Sequence, residues 1–162
     1  MTQHLSDTSG HYPVNNPLNE DEILRAAERI IEQRFQRKTT LTQPMDAKAF
    51  VVAKLALKPN EVFADIFLDN RHRVLAFETL FTGTIDGCSV HPRVVVQRVL
   101  VLNAAAVIFA HVHPSGDPEP SSADKTITRR LVDALNLVDV RVLDHLVVGG
   151  TQVVSLAERG QI

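Results

Sequence analysis

The rhythm of hydrophobic and polar positions changes several times along the chain. Ile23, Ala27, Ile30, Ile31 and Phe35 recur at helical spacing, and Asn19 with Glu22 three residues later forms a capping-box pattern. An amphipathic helix follows, ending near the polar residues 36–40. A second helix is predicted from Asp46 to Leu57, stopped by Lys58-Pro59. Residues 61–69 and 73–81 are rich in Val, Phe, Ile and Leu and flank the polar turn Asn70-Arg71-His72, the pattern of a hairpin. After the turn Asp86-Gly87, Pro92 opens a Val-rich run read as a helix in preference to a strand. Ala104 to Ala110 is a continuous apolar run, the signature of a strand covered on both faces, and it ends at His111-Val112-His113. The turn-rich residues 114–124 lead into a helix marked by Ile127, Leu131, Ala134 and Leu135, and residues 138–157 supply two closing strands joined by Gly149-Gly150. Strands interleaved with helices predict an α/β domain of two or three layers, its sheet mixed because one pair is hairpin-connected.

Composition narrows the class. The 162 residues have the length of one domain, and 44% hydrophobic with 22% charged residues leaves a core to bury. Residues 1–18 carry Pro, Asn, Ser and Gly with little apolar content, so they read as a flexible tail, with residues 19–44 as helix and linker and residues 45–162 as the domain proper. Seventeen Lys and Arg against 19 Asp and Glu give a formal charge of −2, which removes a strongly basic nucleic-acid footprint. Cys88 is the single cysteine, so an internal disulfide and any two-thiolate metal site are excluded. The chain shows neither a basic-apolar leader nor an apolar run of about 18–20 residues, which predicts a soluble cytoplasmic protein that does not enter a membrane.

The chemistry concentrates at the end of the apolar run. His111 and His113 are two apart, so on an extended strand end their side chains share one side and can converge on one ion. Asp124 lies 11 residues after His113, beyond a loop that can fold back. Two imidazoles and a carboxylate with a fourth position left open is the composition of a catalytic zinc site. From composition alone, roughly 0.001 such arrangements with this spaced Ser and Asp arise by accident, so chance is a poor explanation. Ser121 and Asp124 also fit a helix N-terminus, Ser121 as the cap and Asp124 in the first turn, and such a cap would orient the ligand.

The segment HVHPSGDPEPSSAD resembles the H-x-H-P-x6-S-x2-D core of the JAMM (JAB/MPN) zinc metalloproteases, and its longer wording resembles the RadC-like branch of that superfamily. LFTGTIDGCSVHPR, LNAAAVIFAH, VDVRVLDHLVVGG and VVSLAERG extend the resemblance over residues 45–162, in the short, stand-alone form of the family. The resemblance implies a single JAB/MPN-like, cytidine-deaminase-like domain, a mixed sheet flanked by helices with a short N-terminal helical annex. It also implies one Zn(2+) per chain on His111, His113 and Asp124, with Ser121 as the donor to the tetrahedral oxyanion. An upstream Glu would take a proton from water at the metal and pass it to the leaving amine. Glu61 and Glu78 are the candidates, and E-x-F ahead of a hydrophobic strand favours Glu61.

The implied activity is hydrolysis of an amide, peptide or isopeptide bond. Val112 stands where the family usually has Asn, and Val94 where it usually has Glu, changes that bear on substrate handling more than on the metal. Asp144-His145 reads either as support for the ligands or as a buried pair within a strand, His91 as a helix-start residue or a member of the site, and Asp117 and Glu119 as solvated loop carboxylates. The competing function, a DNA-associated accessory protein of the DNA-repair kind, would use Arg93, Lys125, Arg129 and Arg130 as a small cationic patch. A third reading is a zinc-bearing scaffold without hydrolase activity.

Overall fold

The computed structural model describes residues 19–37, 41, 43–83 and 88–162. The proposed tail at residues 1–18 and the turn Asp86-Gly87 lie outside them. Four helices and five strands follow in the order α1 (Glu20–Arg37), α2 (Pro44–Leu55), β1 (Val62–Leu68), β2 (Val74–Thr82), α3 (Pro92–Val101), β3 (Ala106–Val112), α4 (Ser122–Asn136), β4 (Arg141–Gly149) and β5 (Gln152–Ser155). The sheet has the spatial order β2-β1-β3-β4-β5 and is mixed as expected: β3 and β4 are parallel, joined through α4, and every other neighbouring pair is antiparallel.

Local chemistry accounts for most boundaries. Asn19 and Glu22 form the expected reciprocal cap, each side chain accepting the other's backbone N–H at 3.0 and 2.9 Å. The second helix begins at Pro44, two residues before the expected Asp46, because proline is well placed in a first helical turn. The hairpin between β1 and β2 turns through Asn70-Arg71-His72, where Asp69 accepts backbone hydrogens from Arg71 and Arg73 at 2.8 and 2.9 Å. His72 takes a left-handed φ of 59° there. The Val-rich run after Pro92 is helical, and β3 carries two residues past the apolar run to include His111 and Val112.

Each face of the sheet is covered, which makes three layers. On one face α2 packs Ala47, Phe50, Val51 and Leu55 against Val62, Ala64, Ile66 and Leu68 of β1 and the even-numbered residues of β3. On the other, α3 and α4 bring Val95, Val99, Leu131 and Leu135 against Phe63, Phe67, Val107 and Phe109. β1 and β3 are buried along their whole length, so their side chains are enclosed on both sides. Lys54 of α2 holds α1 through ion pairs with Glu28 and Glu32, while Ile23 of the expected apolar stripe stays 52% exposed. No helix among the described residues is long and apolar enough to cross a membrane.

Candidate metal centre

The parallel pair β3 and β4, with α4 between them, sets up the site. A helix that follows a strand and returns antiparallel to it starts near that strand's C-terminal end, so the α4 N-terminus stands beside His111 and His113. His111 is the penultimate residue of β3 and is 2% exposed; His113 follows the strand, its backbone N–H bonded to the Val148 carbonyl at 2.8 Å. Val112 points to the opposite face, among the α2 contacts, as strand alternation requires.

Asp124 is N3 of α4 and Ser121 its N-cap. The Ser121 hydroxyl accepts the Asp124 N–H at 3.1 Å, and the Asp124 carboxylate accepts the Ser121 N–H at 2.6 Å and its hydroxyl at 2.7 Å. This capping box leaves one carboxylate edge facing the histidines. The Nε2 atoms of His111 and His113 are 2.8 Å apart, and they lie 3.3 and 3.5 Å from the two oxygens of Asp124. Tetrahedral zinc with bonds of about 2.0–2.1 Å places its ligand atoms about 3.3 Å from one another, which the two imidazole–carboxylate distances match, while the two imidazole nitrogens stand closer than that. The donor chemistry fits too. His113 Nδ1 is 2.8 Å from the backbone carbonyl of Asp117, which can only accept, so Nδ1 carries the hydrogen and Nε2 of the neutral ring presents a lone pair to the shared space.

Burial works against a charge on Asp124, yet the two imidazoles beside it and the Ser121 hydroxyl outweigh it and hold the carboxyl far below the usual carboxylate range. The Asp124 carboxylate beside it is the main reason the His113 imidazole is shifted upward, against the effect of burial.

A pocket of about 340 Å³ opens over these ligands, walled by Glu61, Phe63, Cys88, Val90, Ser121 and Ile127. Glu61, immediately before β1, is therefore in the same cavity as the histidines. Glu78 is not among the residues lining it; from β2 it forms two 2.5 Å bonds with Arg98 of α3, which lower its carboxyl pKa. Burial and the Glu61 charge push the Cys88 thiol upward. A larger cavity of about 730 Å³ lies between α1, α2 and β5, but its walls are mostly aliphatic and no ligand set converges there among the described residues.

The remaining candidates are placed as follows. Asp144 fastens β4 to the residues beyond β5, accepting from the His145 and Ala157 backbones and the Ser155 hydroxyl, and takes no part in the site. His145 faces the other way, with Nε2 2.8 Å from His111 Nδ1. His91 is the N-cap of α3 with no side-chain cap bond, its ring 6.0 Å from that of Phe81. Asp117 contributes its backbone carbonyl, and Glu119 pairs with Arg159. Arg93, Arg129 and Arg130 are exposed on α3 and α4. Two residues that the sequence does not place at the site are found there: Thr128, whose hydroxyl is 2.5 Å from His145 Nδ1, and the single cysteine Cys88, in the pocket wall. Thr128 sits one helical turn beyond Asp124, the one sequence signal that could have found it.

A three-layer α/β domain with two imidazoles and a carboxylate converging beside a pocket is the arrangement expected of a JAB-class domain. The chain belongs to the RadC-like JAB domain family, whose pattern it matches over residues 41–161. It is similar to a UPF0758 protein of Nitrosococcus oceani (58% identity over 137 residues, 85% of this chain and 61% of the relative) and to one of Thioalkalivibrio sulfidiphilus (59% over 138 residues, again 85% and 61%). A UPF0758 protein of Vibrio cholerae is 52% identical over 149 residues, 92% of this chain and 94% of the relative. The chain thus spans about 61% of the length of the first two relatives.

Proposed function

We propose that the chain is a zinc-dependent hydrolase that cleaves an amide, peptide or isopeptide bond, with one zinc held by His111, His113 and Asp124. The observation that carries this reading is the convergence of three ligand atoms, all within 4.8 Å of one another, in the wall of a pocket shared with Glu61. Three protein ligands leave a fourth position for chemistry, whereas structural zinc sites use all four. When bound, the ion brings the pKa of a coordinated water near about 7 and polarises a carbonyl.

The side chains divide the remaining work. Glu61 takes the proton of the attacking water and returns it to the leaving amine, the role of a general base that becomes a general acid. Ser121 turns its hydroxyl from Asp124 toward the oxyanion as negative charge develops there, a donor contribution typically worth about 10²–10³ in turnover. Phe63, Val90 and Ile127 form apolar walls that limit water around the reacting bond.

The test uses the full chain loaded with zinc and a panel of fluorogenic peptide and isopeptide amides. Turnover should vanish on chelation and return with zinc. Glu61→Gln should lose about 10²–10⁴ in rate while keeping its zinc. Turnover indifferent to chelation, or full activity in Glu61→Gln, contradicts the proposal.

A further inference from the structure

Behind the ligands lies a chain of hydrogen bonds whose polarity is fixed at one end. The Thr128 hydroxyl is 2.6 Å from the backbone carbonyl of Asp124 and 2.5 Å from His145 Nδ1. A hydroxyl has one hydrogen, and a carbonyl can only accept, so the Thr128 hydrogen goes to Asp124. Its oxygen is then left to accept, which requires the hydrogen of His145 to be on Nδ1. The other nitrogen of a neutral His145 is consequently a lone pair, and it lies 2.8 Å from His111 Nδ1. His111 must donate there, and its remaining nitrogen, Nε2, presents a lone pair to the ligand cluster.

We infer that Thr128 and His145 are positioning residues that fix His111 in its metal-binding tautomer, a role that rests on the reading of His111 as a metal ligand. Each link comes from a different element: β3 supplies His111, β4 His145 and α4 Thr128. Aromatic neighbours enclose both rings. His145 is wholly enclosed, with the Phe63 and Phe109 ring centroids 5.4 and 5.9 Å away, and Phe63 stacks on His111 at 6.2 Å. His145 has no carboxylate among its hydrogen-bond partners in this enclosed position, which suits a neutral ring that donates at one nitrogen and accepts at the other. Because Thr128 returns its hydrogen to the carbonyl of Asp124, the relay joins two of the three ligands through groups that never touch the ion. Partners of this kind orient ligating histidines and set their tautomer.

Two measurements on the full chain test the inference. Nitrogen chemical shifts and couplings of ¹⁵N-histidine protein, metal-free and zinc-loaded, should show His145 carrying its hydrogen on Nδ1 and His111 donating to His145 Nε2. Hydrogen on His145 Nε2 overturns the inference. Zinc affinity, measured by competition with a chromophoric chelator, should fall about 10–100-fold in Thr128→Val and recover in Thr128→Ser, which restores the hydroxyl. A Thr128→Val protein that binds zinc as tightly as the parent also overturns it. If the parent takes up no zinc, the proposed function fails, and the His145 tautomer alone decides the relay.

Discussion

The two faces of the sheet share their strands but not their chemistry. Toward α2, β1 and β3 present Val62, Ala64, Ile66, Leu68, Ala106, Ile108, Ala110 and Val112, without one ionisable group. Toward α3 and α4, the alternate positions include Asp65 and His111, joined by His145 of β4 and Thr128 of α4, all buried. The polar groups of this second face divide again. His111, His145 and Thr128 satisfy one another, whereas both carboxylate oxygens of Asp65 lack a hydrogen-bond partner and are the only such buried side-chain atoms among the described residues. Burial, and then the charge of Glu78, push the Asp65 carboxyl well above the ordinary range. The difference teaches that a buried polar group on this face is supported where side chains of a neighbouring strand and helix complete its hydrogen bonds, as His145 and Thr128 do for His111. Asp65, beside Glu78 and without a partner, is instead a cost to the fold.

The severest way to break the comparison is to put a carboxylate on the dry face. Ile66→Asp, at a wholly enclosed position, should cost more than about 4 kcal/mol in urea unfolding, because no partner is available to a buried charge. A loss below 1 kcal/mol would show that the faces do not differ as described. Gly149→Ala probes the site end of the sheet. The new Cβ would lie 2.5–2.6 Å from backbone atoms of Gly116, Asp117 and Pro118, so the loop that supplies the acceptor for His113 must move. About 1–3 kcal/mol of stability should be lost, with weaker zinc binding alongside; an unchanged melt and affinity would contradict the close packing.

Asp65→Val sharpens the contrast from the opposite direction and should stabilise the protein by about 1–3 kcal/mol at neutral pH. A carboxyl raised in the folded state binds its proton more tightly there than when unfolded, so its contribution is intact in acid and is lost as pH rises from the unfolded value through the folded one. The gain from Asp65→Val should therefore be small near pH 4 and grow toward neutrality. A gain that is largest in acid would refute this assignment. The smallest effect belongs to the partly exposed Glu78–Arg98 pair, where Arg98→Gln should lower the urea midpoint least of these variants, and less still in high salt. A larger, salt-independent loss would mean that the pair supports the neighbouring Asp65 region structurally.

Much of this was legible before the structure because it is local. The capping patterns at Asn19 and Ser121, the apolar run before His111 and the i, i+2 histidines each announce themselves within a few residues. The family resemblance added Glu61, and the structure places that residue in the pocket with the ligands. What stayed hidden depends on elements meeting in space. Thr128 looks like any helix residue until β4 brings His145 against it, and Asp117 acts through a backbone carbonyl that residue type does not advertise. Asp65 was readable as one polar letter in a strand, but its lack of a partner follows only from what α3 and α4 pack around it.

The central claim, that the polar end of this sheet is a metal site, is tested most directly by the zinc content of the purified full chain, measured by inductively coupled plasma mass spectrometry. The expected result is one zinc per chain, lost in His113→Ala with a native-like melt retained. A cooperatively folded parent protein that remains metal-free after equilibration with zinc would contradict it.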